Sequence, residues 1–168
     1  MKPLEDQMAI YAAYHRDARN RATHFIGVPA IMLSIFIPLS WLRAEIAGFS
    51  ISAAMLLAAA VLLYYFLLDV PLATAMLCVT GILLWAGEEI ASLGNVAAWL
   101  WFAVLFVGGW ILQLIGHSFE GRRPALADNL FQIFIAPIFL CAEVVFALGY
   151  KPELRAKIEE RSLHLPQH

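Results

Sequence analysis

The chain has 168 residues, of which 62% are hydrophobic and 14% charged, where a soluble globular protein has about 45–50% apolar and about 25% charged residues. With a mean hydropathy of +0.76, this composition excludes a soluble domain and a disordered chain, because so small a domain cannot bury so many apolar side chains. The net charge of −2 and pI near 6.2 exclude a nucleic-acid binder. A secreted disulfide domain is excluded because Cys78 and Cys141 lie within apolar runs. We therefore expect an integral membrane protein in contact with the lipid bilayer.

Five apolar runs follow a polar N-terminal segment, residues 1–24, which is unlike a cleavable signal peptide and is expected to form an amphipathic segment on the cytoplasmic side. Each run approaches the roughly 20 residues that a helix needs to cross the hydrocarbon core, and none shows strand-like alternation. The runs cover residues 25–43, 50–68, 71–87, 96–115 and 130–150, and a polar tail occupies 151–168. The sequence predicts an all-α fold, with residues 1–168 as a single integral membrane domain and residues 25–150 as its polytopic helical bundle.

The basic residues predict how the chain is oriented. If the N-terminus is cytoplasmic and the first four runs cross, the inside holds six basic residues and the outside only Arg43, as the positive-inside bias requires. The six are Lys2, Arg16, Arg19, Arg21, Arg122 and Arg123. We expect a bacterial inner membrane rather than an endoplasmic reticulum, because the loops are short and no targeting tail is visible.

The fifth run differs from the other four. It contains Gln132, Pro137 and Glu143, which are costly in lipid or interrupt a helix, and a simple crossing would place the basic tail outside. We therefore expect four transmembrane helices plus a broken or re-entrant fifth apolar segment that returns the tail to the cytoplasm.

Residues able to carry chemistry gather in two clusters, both at the cytoplasmic end of the four-crossing arrangement. The clusters contain His15, Asn20 and His24, and Gln113, His117 and Glu120. The second set has the i, i+4, i+7 spacing of one helical stripe. His15 and His24 are nine residues apart and face nearly opposite sides of a straight helix, so they can share a metal only if the chain bends. Asp17 or Asn20 could cap a new helix at such a bend.

A metal site competes with a plainer interpretation. A single histidine at a membrane interface is usually an amphipathic surface residue, and His164 and His168 in the tail are interpreted in that way. Three histidines on one side of the bilayer, beside Asn20 and Glu120, keep a metal site open, although neither H-E-x-x-H nor C-x-x-C is present. Imidazoles with a carboxylate and no thiolate suit iron or zinc, and with open positions they are typical of non-haem Fe(II) oxygenases.

A fatty acid could dock beside this site. Arg122 and Arg123 lie about one helical turn beyond His117, where guanidinium groups could bind a carboxylate whose tail lies in the bilayer. The alternative is that both arginines are positive-inside anchors. Asn20 and Gln113 are further candidates for contact with the substrate, or for holding an imidazole in one tautomer.

The histidine motifs resemble those of the Mpo-type 2-hydroxy fatty acid dioxygenase family over nearly the whole chain. The motifs are His15-x4-Asn20-x3-His24-x2-Gly27-Val28-Pro29, Gln113-x2-Gly116-His117-x-Phe119-Glu120, Pro124-Ala125, Asp128-Asn129-Leu130 and Ala136-Pro137-x-Phe139-x3-Glu143. The resemblance implies an Fe(II)-dependent membrane dioxygenase that uses O2 to shorten long-chain 2-hydroxy fatty acids by one carbon through α-oxidation, releasing CO2. It also implies that His15, His24 and His117 are the catalytic metal ligands, with Glu120 or Asn20 as a fourth ligand or supporting residue.

Two other functions remain open on the residues alone. A zinc-dependent membrane lipid hydrolase would also use scattered histidines, whereas the fatty acid hydroxylase and desaturase group needs H-x-x-H-H clusters that are absent here. A transporter or scaffold could use Pro137 and Glu143 to break a helix on a substrate path, but no inverted repeat is visible between the two halves. Oxygen dependence and metal content distinguish these functions.

Overall fold

A computed structural model describes residues 3–121 and 131–165, which fold into seven helices and one short antiparallel hairpin. In chain order the elements are α1 (Leu4–Ala13), α2 (Ala18–Leu39), β1 (Arg43–Ile46), β2 (Phe49–Ser52), α3 (Ala53–Leu68), α4 (Val70–Ser92), α5 (Asn95–Glu120), α6 (Gln132–Ala147) and α7 (Pro152–Leu163). The predicted helical fold is confirmed, and the hairpin, in which Arg43 pairs with Ser52, is an addition to it.

Within the described residues, three helices, α2, α4 and α5, are long and apolar enough to cross a membrane. Four crossing helices are not confirmed, because α3 has only 16 residues, a rise of about 24 Å. Only residues 53–68 of the second apolar run are helical, because residues 50–52 belong to strand β2. The outward faces of the long helices carry large exposed apolar side chains such as Trp85, Leu100 and Leu114, which suits contact with lipid.

The helices α2 and α5 run antiparallel and approach closely along glycines. A Cβ atom added at Gly27 would lie 3.0 Å from the carbonyl oxygen of Gly109, and one added at Gly116 would overlap the side chains of Asn20 and Thr23. Small residues of this kind let membrane helices pack backbone to backbone. The contact places the second turn of α2 directly beside the last turns of α5.

The chain bends sharply between α1 and α2. Asp17 caps α2, because its side chain accepts a hydrogen bond of 2.8 Å from the backbone N–H of Arg19. The bend expected between His15 and His24 is therefore present, with Asp17 as the cap. Helix α2 begins at residue 18 rather than 25 and so includes polar residues that precede the apolar run, among them Asn20 and His24, which are buried by protein.

The fifth apolar run forms one continuous helix, α6, so the break expected at Pro137 is not observed. Pro137 has no N–H to donate to the carbonyl of Ile133. The next carbonyl along the helix, that of Phe134, accepts a hydrogen bond of 2.6 Å from the Tyr65 hydroxyl of α3. Packing against its neighbours therefore supports a helix that proline alone would weaken.

The C-terminal part of the chain returns to the end of the bundle where α2 starts, which we call the α1 end. Directly after α6, Lys151 forms an ion pair of 2.6 Å with Asp69 in the turn between α3 and α4. Arg161 of α7 pairs with Glu5 of α1 at 3.5 Å and also with Asp6. The hairpin lies at the opposite end.

Candidate metal centre

Three imidazoles from three separate elements meet at the α1 end. His15 lies in the turn after α1, His24 in the second turn of α2 and His117 in the last turn of α5. They are 2%, 2% and 5% exposed, and one potential ligand atom from each lies within 4.8 Å of the others. The ring centroids are 4.6–5.1 Å apart, with interplanar angles of 67–84°. Three rings that face one another edge to face offer three nitrogens to one point.

Backbone carbonyls fix the tautomers of two of these histidines. The Nδ1 of His15 donates to the carbonyl of Tyr11 at 2.7 Å, and the Nδ1 of His24 donates to the carbonyl of Asn20 at 2.8 Å. A carbonyl only accepts, so each Nδ1 carries the proton and each Nε2 is left with a lone pair. These two Nε2 atoms face each other at 3.2 Å.

The group fits a bound cation. Burial, with smaller effects of His24 and His117, lowers the pKa of His15 to about 2, so this ring is neutral near pH 7. Two lone pairs held 3.2 Å apart without a bridging proton repel each other, and a cation between them relieves that repulsion. The Nδ1 of His117 is also buried without a hydrogen-bond partner in the described part of the chain. Three neutral imidazoles without a thiolate are a donor set for iron or zinc.

The Glu120 side chain holds the turn that carries His15. Its carboxylate accepts hydrogen bonds from the backbone N–H groups of Arg16 and Asp17, the second at 2.9 and 3.0 Å to its two oxygens. Glu120 is not one of the residues whose ligand atoms converge. Of the two roles expected for Glu120, fourth ligand or supporting residue, these contacts favour the supporting one, in which the carboxylate positions His15.

The two amide side chains expected near the histidines are both buried there. Asn20 donates from Nδ2 to the carbonyl of Tyr14 at 3.4 Å, while its Oδ1 has no hydrogen-bond partner among the described residues. Gln113 is 6% exposed, and its Nε2 is likewise unpartnered among them. The tautomers of His15 and His24 are fixed by the backbone carbonyls four residues before them rather than by these amide side chains.

The other expected residues include three that the structure does not describe. Arg122, Arg123 and Asp128 fall outside the described residues. Glu143 lies 3.8 Å from Arg21 in an ion pair and does not join the histidines.

One neighbour of the histidines was not singled out from the sequence. The ring of Tyr11 stacks on that of His15, with centroids 3.8 Å apart and an interplanar angle of 6°. Its i, i+4 spacing to His15 repeats that of Asn20 and His24, a signal that could have identified it.

A mainly apolar cavity of about 290 Å³ extends from the histidines into the bundle. Its polar lining comprises Tyr11, His15, His24, Tyr65, Thr80, Gln113, His117 and Gln132. Apolar side chains of α2, α3 and α6, such as Ile31, Val61 and Ile133, form most of the remainder. Such a cavity suits a molecule with one polar end and an apolar chain.

Comparisons with known proteins point to one protein family. The family model described as 2-hydroxy-palmitic acid dioxygenase Mpo1-like matches residues 1–148. The 2-hydroxy-palmitic acid dioxygenase MPO1 of Saccharomyces cerevisiae is 35% identical over 161 residues, which cover 93% of this chain and 87% of the yeast protein. No solved structure matches the chain.

Proposed function

The chain belongs to the 2-hydroxy-palmitic acid dioxygenase Mpo1-like family, and on that premise we propose that it is a membrane dioxygenase of long-chain 2-hydroxy fatty acids. The proposed reaction uses O2 to shorten the acid by one carbon, with release of CO2. The observation that carries the proposal is the buried group of His15, His24 and His117 at the polar end of an apolar cavity.

We propose that these three imidazoles hold a single Fe(II). His15 and His24 would bind through Nε2, since each Nδ1 is engaged by a carbonyl. Ferrous iron would supply the electrons and the binding position that dioxygen requires. Three nitrogen donors, with Glu120 engaged elsewhere, leave positions for the substrate as well.

The protein would orient the substrate by binding its polar end to polar side chains and its acyl chain to apolar walls. The buried Nε2 of Gln113 is a donor without a partner among the described residues, which favours a hydrogen bond to the substrate carboxylate or hydroxyl. Asn20, whose Oδ1 lies beside Gly116 of α5 and has no hydrogen-bond partner among the described residues, stays a proposed contact of the substrate, as do Arg122 and Arg123. The apolar walls would shelter the acyl chain and exclude water from the reacting end.

We propose that the protein is an integral membrane protein with its α1 end in the cytoplasm, in a bacterial inner membrane rather than an endoplasmic reticulum. The α1 end carries Arg16, Arg19 and Arg21, whereas Arg43 lies at the hairpin end, paired with Glu88. This asymmetry supports that orientation.

Turnover of a 2-hydroxy C16 acid tests the proposal. His24→Ala and His117→Ala are expected to abolish formation of the product one carbon shorter, detected by mass spectrometry, because each removes one of the three proposed donors. His164→Ala is the matched control, since His164 is exposed at the end of α7. Turnover retained in both variants at the level of the control would contradict the proposal.

A zinc-dependent lipid hydrolase is the second candidate, because three neutral imidazoles also suit zinc with an activated water. Removal of O2 distinguishes the two functions. Product formation that stops without O2 supports the dioxygenase, and product formation that continues supports the hydrolase.

A further inference from the structure

We propose that three residues at the end of the cavity remote from the histidines, Phe36, Leu57 and Ala58, act as a floor that sets the longest acyl chain accepted. The inference rests on the proposed function and adds the determinant of its chain-length specificity. The positions of the two ends of the cavity and the tight packing at its remote end support it.

The cavity follows helix α2 into the bundle. His24 lines its polar end, and Phe36 lines it twelve residues further along the same helix, a rise of about 18 Å. Between these levels the lining of α2 is apolar and includes Val28, Ile31 and Ile35. A fatty acid whose polar head lies at the histidines therefore has its methyl end directed toward Phe36.

The floor is closed by a packed apolar cluster. Phe36 and Ala58 are each 4% exposed and form this cluster with the fully buried Ala54. The side chains of Leu57 and Leu83 pack against it. The backbone of α4 packs closely against Phe36, because a Cβ atom added at Gly87 would lie 2.8 Å from the Cβ of Phe36. The floor is therefore held by helix packing, not by a movable loop.

A rigid floor discriminates between chains by length. A chain that ends short of the floor leaves apolar surface unfilled, which costs about 4-fold in binding for each methylene not buried. A chain that is too long must displace packed side chains, which is also unfavourable. The result is an optimum length that depends on the volume of the floor residues.

Ala58→Leu tests the floor, because it adds three carbons at a position that lines the cavity. The relative kcat/KM for 2-hydroxy acids of increasing length is measured on the purified full chain, and the optimum is expected to move to shorter acids. Loss for the acid that fits wild type best is about 4-fold per excluded methylene, hence roughly 60-fold for three. Ala59→Leu is the matched control, since Ala59 is exposed on the same helix and its variant should keep the wild-type profile.

Leu57→Ala is the opposite change and is expected to move the optimum to longer acids. It keeps the inference open to refutation if Ala58→Leu fails to fold. A length profile that stays at the wild-type optimum in Leu57→Ala, or in a folded Ala58→Leu, would overturn the floor while leaving the dioxygenase proposal intact. Absence of turnover by wild type with any 2-hydroxy acid would instead overturn the proposed function and this inference with it.

Discussion

Replacing Glu120 with alanine removes the carboxylate that holds the turn carrying His15. The side chain accepts hydrogen bonds from two backbone N–H groups, those of Arg16 and Asp17, and it lies at the half-buried end of α5. Hydrogen bonds to a charged acceptor contribute about 1.5–3 kcal/mol each when buried. Because solvent screens part of this, we expect a total of about 1.5–3 kcal/mol, equivalent to roughly 10–100-fold weaker metal binding through His15.

The assay is a competition titration of Fe(II) under anaerobic conditions, with turnover measured on the same samples. Glu120→Gln should lie between wild type and Glu120→Ala, because its amide keeps one acceptor oxygen but faces the second donor with an N–H. Glu89→Ala is the control, since Glu89 is an exposed carboxylate at the hairpin end. If Glu120→Ala binds iron as tightly as Glu89→Ala, then Glu120 does not position His15 and the reasoning is refuted.

Three further predictions concern the surroundings of the site. Gly116→Ala should lower the free energy of unfolding by about 1–3 kcal/mol in thermal melts in detergent, because its Cβ meets α2, whereas Gly108→Ala, with open space, should be neutral or stabilising. Equal melting temperatures for the two variants would contradict the close α2–α5 contact. Tyr11→Phe should keep iron binding and turnover because its ring still stacks on His15, whereas Tyr11→Ala should weaken both. Equal iron affinity and turnover in the two variants would show that the ring stack does not support His15. Reporter fusions at the two chain ends should both report the cytoplasmic side, and a fusion after α7 that reports the opposite side would refute the proposed orientation.

Much of the helical architecture could be predicted because hydrophobic runs are a local property of the sequence. The bend before the first long helix was also predictable, since Asp17 is a residue type that caps helices. The approach of His15 to His24 was predictable from that bend, because on a straight helix the two side chains would face nearly opposite sides.

The hairpin was not predictable from its turn. Ala47 and Gly48 both have positive φ, at 51° and 82°, as a two-residue hairpin turn with a right-handed twist needs. The first of these positions normally holds asparagine, aspartate or glycine, so Ala47 concealed the signal. The hairpin takes residues from the second apolar run and leaves α3 short.

The roles of individual polar groups were the least predictable part of the site. Glu120 falls on the same helical stripe as Gln113 and His117, yet it bonds to a turn whose conformation no residue spacing reveals. The carbonyls of Tyr11 and Asn20 that orient two imidazoles have no sequence signature, because every residue carries a carbonyl.

The claim that three histidines bind one iron is tested most directly by the metal content of the purified full chain. It is measured by elemental mass spectrometry after anaerobic reconstitution with Fe(II). We expect a single iron per chain in wild type and none retained when His15, His24 and His117 are replaced together by alanine. Stoichiometric zinc with turnover that persists without O2, or iron that stays bound after all three replacements, would contradict it.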